Sequence, residues 1–580
     1  MNLMVIGSFI LFTAVVALIT YFKTRGGNLE TSDGYFLGGR SLTGGVIASS
    51  LLLTNLSAAS FVGMSAQAYD ANMSVMGWEV VSGITLVIVA LFLLPRYLKQ
   101  GITTIPDFIE QRFDIGVKKF VTYLFLVGYI FNLLPVTLYS GALAISQIFN
   151  ISEMFGISYE AGIWLTVWVI GCIGVVYAVY GGLKAVAVSD TINGIALLIG
   201  GLMVPVFGII LLGDGSFTVG ATELFTNNID KLNSVGGAKD PLPFGTLFTG
   251  LILVNMYYWG TDQSIIQRGL AAKDLKEGQK GIIGAGFLKV LTPIILIIPG
   301  IIAFNLYGNT IENSDLTYSI LVNDVLPKPL VGFFAAAMLG AILSTFNAVL
   351  NSVVTLFSVN ILKPSKFGQG KSDKEIVAKG RKFGLVIALL AMTVAPFIMN
   401  APNGLFDYLQ LINGFFNVPI FTIIFIGYLT KRVPAIAAKV ALTFFVVTYG
   451  ILQLVVKPDM HYLHQSAILF VISCIIMLVI GKIKPMEKPF VLPVSDLVNI
   501  EPWEHRFKAS GFVIFIMIAI YILFSPIGLA QEGGATMTTL LVILAVAVVT
   551  VLSILGLEAR YSKKSLEKRI RKRSGITILD

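Results

Sequence analysis

SSLLLTNLSAASFVGMS (residues 49–65) and VNMYYWGTDQS (254–264) decide how this chain folds. Each lies in a stretch apolar enough for a membrane helix. Each also carries asparagine, hydroxyls and glycine where a plain anchor would carry leucine. Backbone that crosses hydrocarbon must satisfy its own polar groups, and irregular backbone is tolerated there only where it lines a cavity. Two such stretches therefore predict two interrupted helices around an internal site, with freed carbonyls suited to a hard alkali cation. Small-residue packing between helices is the competing reading for either stretch alone. The pair together argues against it.

Outward from these stretches the whole chain reads as membrane-embedded. Of 580 residues, 56% are apolar and 13% charged, against about a quarter charged in a typical soluble domain. That excludes a water-soluble enzyme and a disordered scaffold. A hydropathy window gives apolar segments near 3–22, 44–70, 76–97, 119–148, 159–180, 183–213, 246–270, 279–307, 329–361, 380–400, 402–428, 434–457, 463–482, 509–528 and 536–556, fifteen in all. With the N-terminus outside, all but five of the 41 Lys and Arg fall in alternate connections. The exceptions are Lys231, Lys239, Lys328 and Lys457 in outer connections and Lys289 within a span. The positive-inside rule then sets a multi-pass topology with a cytoplasmic C-terminus.

The net charge of +9 belongs to this topology. The tail KKSLEKRIRKR (563–573) reads as an anchor and a contact for anionic lipid, not for nucleic acid. The run at 3–22 has no basic residues before it and no small-residue cleavage site, so a retained span is expected rather than a signal peptide. Cys172 and Cys474 match no metal or redox spacing. GGRSLTGG (38–45) lacks the ending of a phosphate-binding loop, and His461, His464 and His505 lie at helix ends or in loops. No catalytic constellation emerges, so no enzyme activity, ATP hydrolysis or organic cofactor is expected.

An ionisable group at membrane depth is a functional candidate. Lys289 lies nine residues beyond Lys280, roughly 13 Å deep at 1.5 Å per residue, and is expected to point into a polar cavity. Glu79 follows Trp78 near the outer end of its span. Asp190 and Asp262 lie roughly 9 Å from the inner edge, where an ion exit path and a plain salt bridge are both open readings. Asp407 sits near an outer loop. In AMLGAILSTFNAVLNS (337–352), Ala341, Ser344 and Thr345 share one helix face. Spacing alone leaves that hydroxyl pair two fates: ligands for a cation, or bonds back to the preceding turn.

At these residues the sequence resembles the sodium/glucose cotransporter branch of the solute:sodium symporter family, in particular bacterial members with a long C-terminal extension. The likeness runs from about 35 to 485. Its most specific stretches are ITTIPDFIEQRF (102–113), YGGLKAVAVSDTING (180–194), NMYYWGTDQSIIQRGLAAKDLKEGQKG (255–281) and LGAILSTFNAVLNS (339–352). The resemblance implies an all-α, leucine-transporter type core of two inverted five-helix repeats, 44–213 and 246–428. One extra helix at 3–22 would precede it, with peripheral helices at 434–556 and a basic cytoplasmic tail at 557–580 following. It implies sodium ligands at the carbonyls of Leu53, Leu56 and Ala341 and the hydroxyls of Ser344 and Thr345. It implies sugar contacts at Glu79, Asn255, Lys289 and Gln410, an inner aromatic at Tyr258 and an outer one at Trp78. Asp190 would lie on a sodium exit path. Two departures stand out: Ala59-Ser60 replace a common Glu-Gln, leaving Ser60 as the shorter contact, and Asp262 replaces a common neutral amide.

The expectation is a bacterial plasma-membrane symporter that couples sodium entry to uptake of a sugar or similar polyhydroxylated solute. The rival is the same fold carrying an anion, such as a carboxylate or sialic acid, with Lys289 as counter-charge. A proton-coupled form would use Asp190 or Asp262, and a channel or membrane enzyme is the reading from another class.

Overall fold

The computed structural model describes residues 3–24, 40–400, 405–495 and 497–573, without the side chains of 177–187, 190, 191, 400, 407 and 562–573. Asp190 and Asp407 therefore lie outside the described side chains. Among the described residues the regular structure is helical, apart from one bridge between Leu42 and Ala272. Twelve helices are long and apolar enough to cross a membrane, and two bent pairs raise the number to fourteen. The remaining predicted segment, 246–270, forms two short helices, Gly250–Gly260 and Gln263–Leu270.

Both predicted interruptions are present. The first broken helix runs Gly44–Asn55 and resumes at Ala58–Asp70 after a bend of 57°. Ser57 starts the second half as its cap, accepting from the Ser60 amide, which serves one of the orphan donors of a helix start. The second broken helix parts at Thr261 and Asp262, where the Asp262 carboxylate caps the half that follows.

A further bend, not foreseen, divides 279–307 into Leu275–Leu291 and Pro293–Tyr307, at 43° to each other. Its cause is local. Pro293 has no amide proton for the carbonyl of Lys289, which instead receives both the amide and the hydroxyl of Thr292, at 3.2 and 2.6 Å.

Helical structure continues from Tyr159 to Leu212 where two spans, 159–180 and 183–213, were expected. Packing shows two legs nonetheless. Gly174 lies against Phe346, Asn193 against Gly340 and Gly200 against Phe334. A straight rod would hold residues 174 and 193 roughly 28 Å apart, whereas 346 and 340 are only about 9 Å apart along their helix. The legs must run back on each other beside the Lys328–Leu362 helix. That helix, also covered by Leu3–Thr24, is buried along most of its length and faces the first broken helix across the core.

Candidate functional site

The first break frees backbone oxygens at membrane depth. In a continuous helix the Ser57 amide would bond the Leu53 carbonyl; here it goes to Asn55, at 2.7 Å. The Ser60 amide likewise goes to Ser57 rather than to Leu56. The Thr54 carbonyl receives the Thr345 hydroxyl, at 2.8 Å, and the Thr54 hydroxyl lies 3.2 Å from that of Ser344. Ser344 and Thr345 thus reach across to the first break, whereas Ser352 and Thr355 on the same helix bond back to Ala348 and Asn351 and meet Gln267 of the second broken helix. Leu53, Leu56, Ala341, Ser344 and Thr345 are all buried. This is a set of neutral oxygens on two helices, the donor chemistry suited to a hard monovalent cation.

Beside it opens a cavity. Six residues expected at the solute site line it: Ser60, Trp78, Glu79, Asn255, Tyr258 and Gln410. Thr54, Asn55 and Thr345 line it too, so the cavity meets the hydroxyl-bearing break directly. Trp78 packs edge-on to Phe406, with ring centroids 5.5 Å apart.

Lys289 is placed differently from its expected position. It is fully buried and does not line the cavity; its ammonium is paired with Glu79 and bonded to Asn55, with the Thr292 hydroxyl also on Glu79. A lone ammonium at this depth would cost several kcal/mol, and a carboxylate partner with further hydrogen bonds offsets that penalty. Lys289 therefore stands behind the wall, neutralising the carboxylate that faces the cavity. Glu79, 1% exposed, is no interfacial carboxylate.

Asp262 lines the cavity and, among the described contacts, is hydrogen-bonded rather than salt-bridged. Its partners are the hydroxyls of Tyr129, Tyr257 and Ser264 and the Ser264 amide, at 2.8, 3.2, 2.5 and 2.8 Å. It is a helix cap in a polar nest. Arg268, counted above at the cytoplasmic edge, is buried to 1% exposure. Its guanidinium donates to Ser50 and Thr54 of the first broken helix and to the Ser264 carbonyl of the second, bolting the two together.

Sequence reasoning missed several cavity residues. Ser82 donates to the Asn255 side chain at 2.8 Å. Asn413 and Asn417 line the wall beside Gln410, and Asn132 donates to Asn413 at 3.0 Å. Ser82 is detectable in principle, standing three and four residues from Glu79 and Trp78 on one face. The asparagines carry no such local signal.

The family model of the sodium:solute symporter family matches residues 35–443. The chain belongs to that family. Among its relatives is an uncharacterized symporter of Escherichia coli (strain K12), YidK, 49% identical over 92% of each chain. A sodium/glucose cotransporter of Vibrio parahaemolyticus is 31% identical over 73% of this chain and 80% of its own. Among solved structures, a Na+-coupled sialic acid symporter in a substrate-bound outward-open state matches with a TM-score of 0.71, at 19% identity, over 85% of this chain and 99% of that one. Mhp1, a nucleobase-cation-symport-1 transporter, gives 0.50 at 18% identity, over 78% and 95%. The fold is thus the leucine-transporter type. The symporter is a multi-span membrane protein that couples sodium to the movement of a small solute.

Proposed function

We propose that this symporter takes up a sugar or related polyhydroxylated solute, one solute being drawn in by sodium entering down its gradient. The observation that carries the reading is the cavity itself. Glu79, Ser82, Asn255, Gln410, Asn413 and Asn417 offer hydrogen-bond donors and acceptors, while Trp78, Tyr258 and Phe406 supply apolar faces. A neutral polyol presents the same mixture, hydroxyls around a C–H surface. The Lys289 charge is already met by Glu79, which removes the counter-charge that an anionic solute would need.

In this reading sodium is held by the carbonyls of Leu53, Leu56 and Ala341 and the hydroxyls of Ser344 and Thr345. The ion then fastens the first broken helix to the Lys328–Leu362 helix and favours the form open to the outside; its loss to the cytoplasm loosens that contact. The two inverted repeats would be 44–213 and 246–428. The basic connections and the Escherichia coli relative support a bacterial plasma membrane, N-terminus outside. A tenfold sodium gradient supplies about 1.4 kcal/mol and 100 mV about 2.3, enough for accumulation of a few hundredfold.

The test is uptake of radiolabelled glucose into proteoliposomes, competed by myo-inositol and by sialic acid, with sodium replaced by potassium or choline. Uptake that needs sodium and is competed by the polyol supports the proposal. Uptake indifferent to sodium, or competed by sialic acid alone, refutes it.

A further inference from the structure

The polar connection 483–508, which joins two peripheral spans, touches two helices that line the cavity and a third, Leu275–Leu291, that stands behind its wall. Its Met486 and Phe490 amides bond the carbonyls of Arg432 and Lys431, at 2.8 and 2.7 Å, just beyond the Asn417–Leu429 helix. The Ser495 amide bonds the Lys99 carbonyl, at 2.7 Å, at the end of the Met73–Gln100 span. The Asn499 carbonyl receives the Leu275 amide, at 2.9 Å, and the Trp503 amide donates to Gln279, at 2.8 Å, both on the Leu275–Leu291 helix. These three helices carry Asn417, Glu79 and Lys289 respectively.

Arg112 anchors one end. It is 1% exposed, and its guanidinium donates to the carbonyls of Gly427, Thr430 and Val433, at 2.8, 2.9 and 3.1 Å. The rings of Phe113 and Phe490 lie 4.6 and 5.2 Å from it. A guanidinium suits the carbonyl end of a helix both by its fork of donors and by its charge. Arg112 ends the short Ile105–Arg112 helix, whose Ile105 amide donates to Gln263 of the second broken helix, at 2.9 Å. The anchor is therefore joined to the second broken helix as well as to the connection.

Chain length makes the connection a tether. Five residues separate the contacts of Phe490 and Ser495, and four separate Ser495 and Asn499, so they reach at most about 18 Å and about 14 Å. With a hydrogen bond added at each end, the Lys431 and Lys99 carbonyls cannot part beyond about 23 Å, nor the Lys99 carbonyl and the Leu275 amide beyond about 20 Å, without breaking a contact.

We propose that residues 484–503 form a cytoplasmic strap which restrains separation of these three helices, and that Arg112 is a positioning residue for the step in which the inner side opens. The proposal rests on the symport reading and its orientation for the existence of that step.

The experiment uses the full chain with Cys172→Ser and Cys474→Ser, and Ile265→Cys as a reporter lining the cavity. Inside-out vesicles are labelled with a membrane-impermeant maleimide, with and without sodium. One variant carries a flexible Gly-Ser insertion of about six residues between Val491 and Leu492; Val491 is 78% exposed, so every anchored contact can survive. The other is Arg112→Gln, with Arg112→Lys as the conservative companion.

Labelling about threefold faster or more with the insertion and with Arg112→Gln, and intermediate with Arg112→Lys, is expected as the inward-open population rises. Apparent affinity for external sodium should fall in parallel. The insertion alone decides the matter if Arg112→Gln fails to fold. An insertion that labels at the parental rate or more slowly overturns the strap. Sodium that leaves parental labelling unchanged counts instead against the symport reading, since the comparison of insertion with parent does not involve sodium.

Discussion

The two broken helices part at similar depth and use their freed groups differently. At the first break the carbonyls of Leu53 and Leu56 lose their helical donors, and the Thr54 carbonyl takes a hydroxyl from another helix. At the second, the Tyr257 carbonyl takes the amides of Thr261 and Asp262 and the Thr261 hydroxyl, while Gly260 takes the hydroxyl of Tyr97. Asp262 caps the helix that follows. The first break turns freed oxygens toward hydroxyls of another helix, whereas the second folds donors back onto Tyr257 and leaves the Tyr258 carbonyl without its helical amide. A helix interruption alone therefore does not make a cation site; what matters is whether neighbouring side chains complete the backbone or leave it open.

The largest effect should come from the ion pair beside the first break. Glu79→Gln leaves Lys289 buried without its carboxylate and should cost about 3–5 kcal/mol, read as a lowered unfolding midpoint in detergent. Adding Lys289→Met should recover most of that stability without restoring transport. If the single variant is as stable as the parent, the pair does not hold this wall.

Ser344→Ala and Thr345→Ala come next. Each should raise the sodium concentration for half-maximal uptake about tenfold, equivalent to about 1.4 kcal/mol, with the ranking of solutes unchanged. Asp262→Ala sharpens the contrast: it strips the partner from buried donors and should cost about 1–3 kcal/mol of stability, while shifting sodium activation less than about twofold. A sodium shift as large as that of Ser344→Ala would abolish the distinction between the breaks. The smallest effect on sodium is expected for Ser352→Ala, whose hydroxyl bonds Ala348 of its own helix and Gln267, away from the first break. A stability loss of about 1 kcal/mol is expected, and sodium activation should be that of the parent.

Much of this was legible in the chain. Hydropathy located the spans, and asparagine with glycine at membrane depth marked both interruptions. Helical spacing put Ser344 and Thr345 on one face, although it could not choose between ligation and back-bonding. The depth of Lys289 was readable and its direction was not, because its partner Glu79 lies 210 residues away. Arg268 read as a loop base, since a run such as QRGLAAKDLK carries no sign that the guanidinium turns inward to Ser50 and Thr54. The 483–508 stretch read as a plain connection.

The sequence by itself determined the solvent of this protein, the number of apolar segments, two of the three places where a helix bends or breaks and the residues with unusual chemistry at depth. These follow from local composition and period, because lipid charges every exposed polar group the same penalty wherever it stands. Only the tertiary structure decided which freed carbonyls stay open, that Glu79 neutralises Lys289, and that Thr345 closes on Thr54 across 291 residues. Such pairings are settled by which helices pack together, and no local pattern encodes a partner that the chain reaches only after folding.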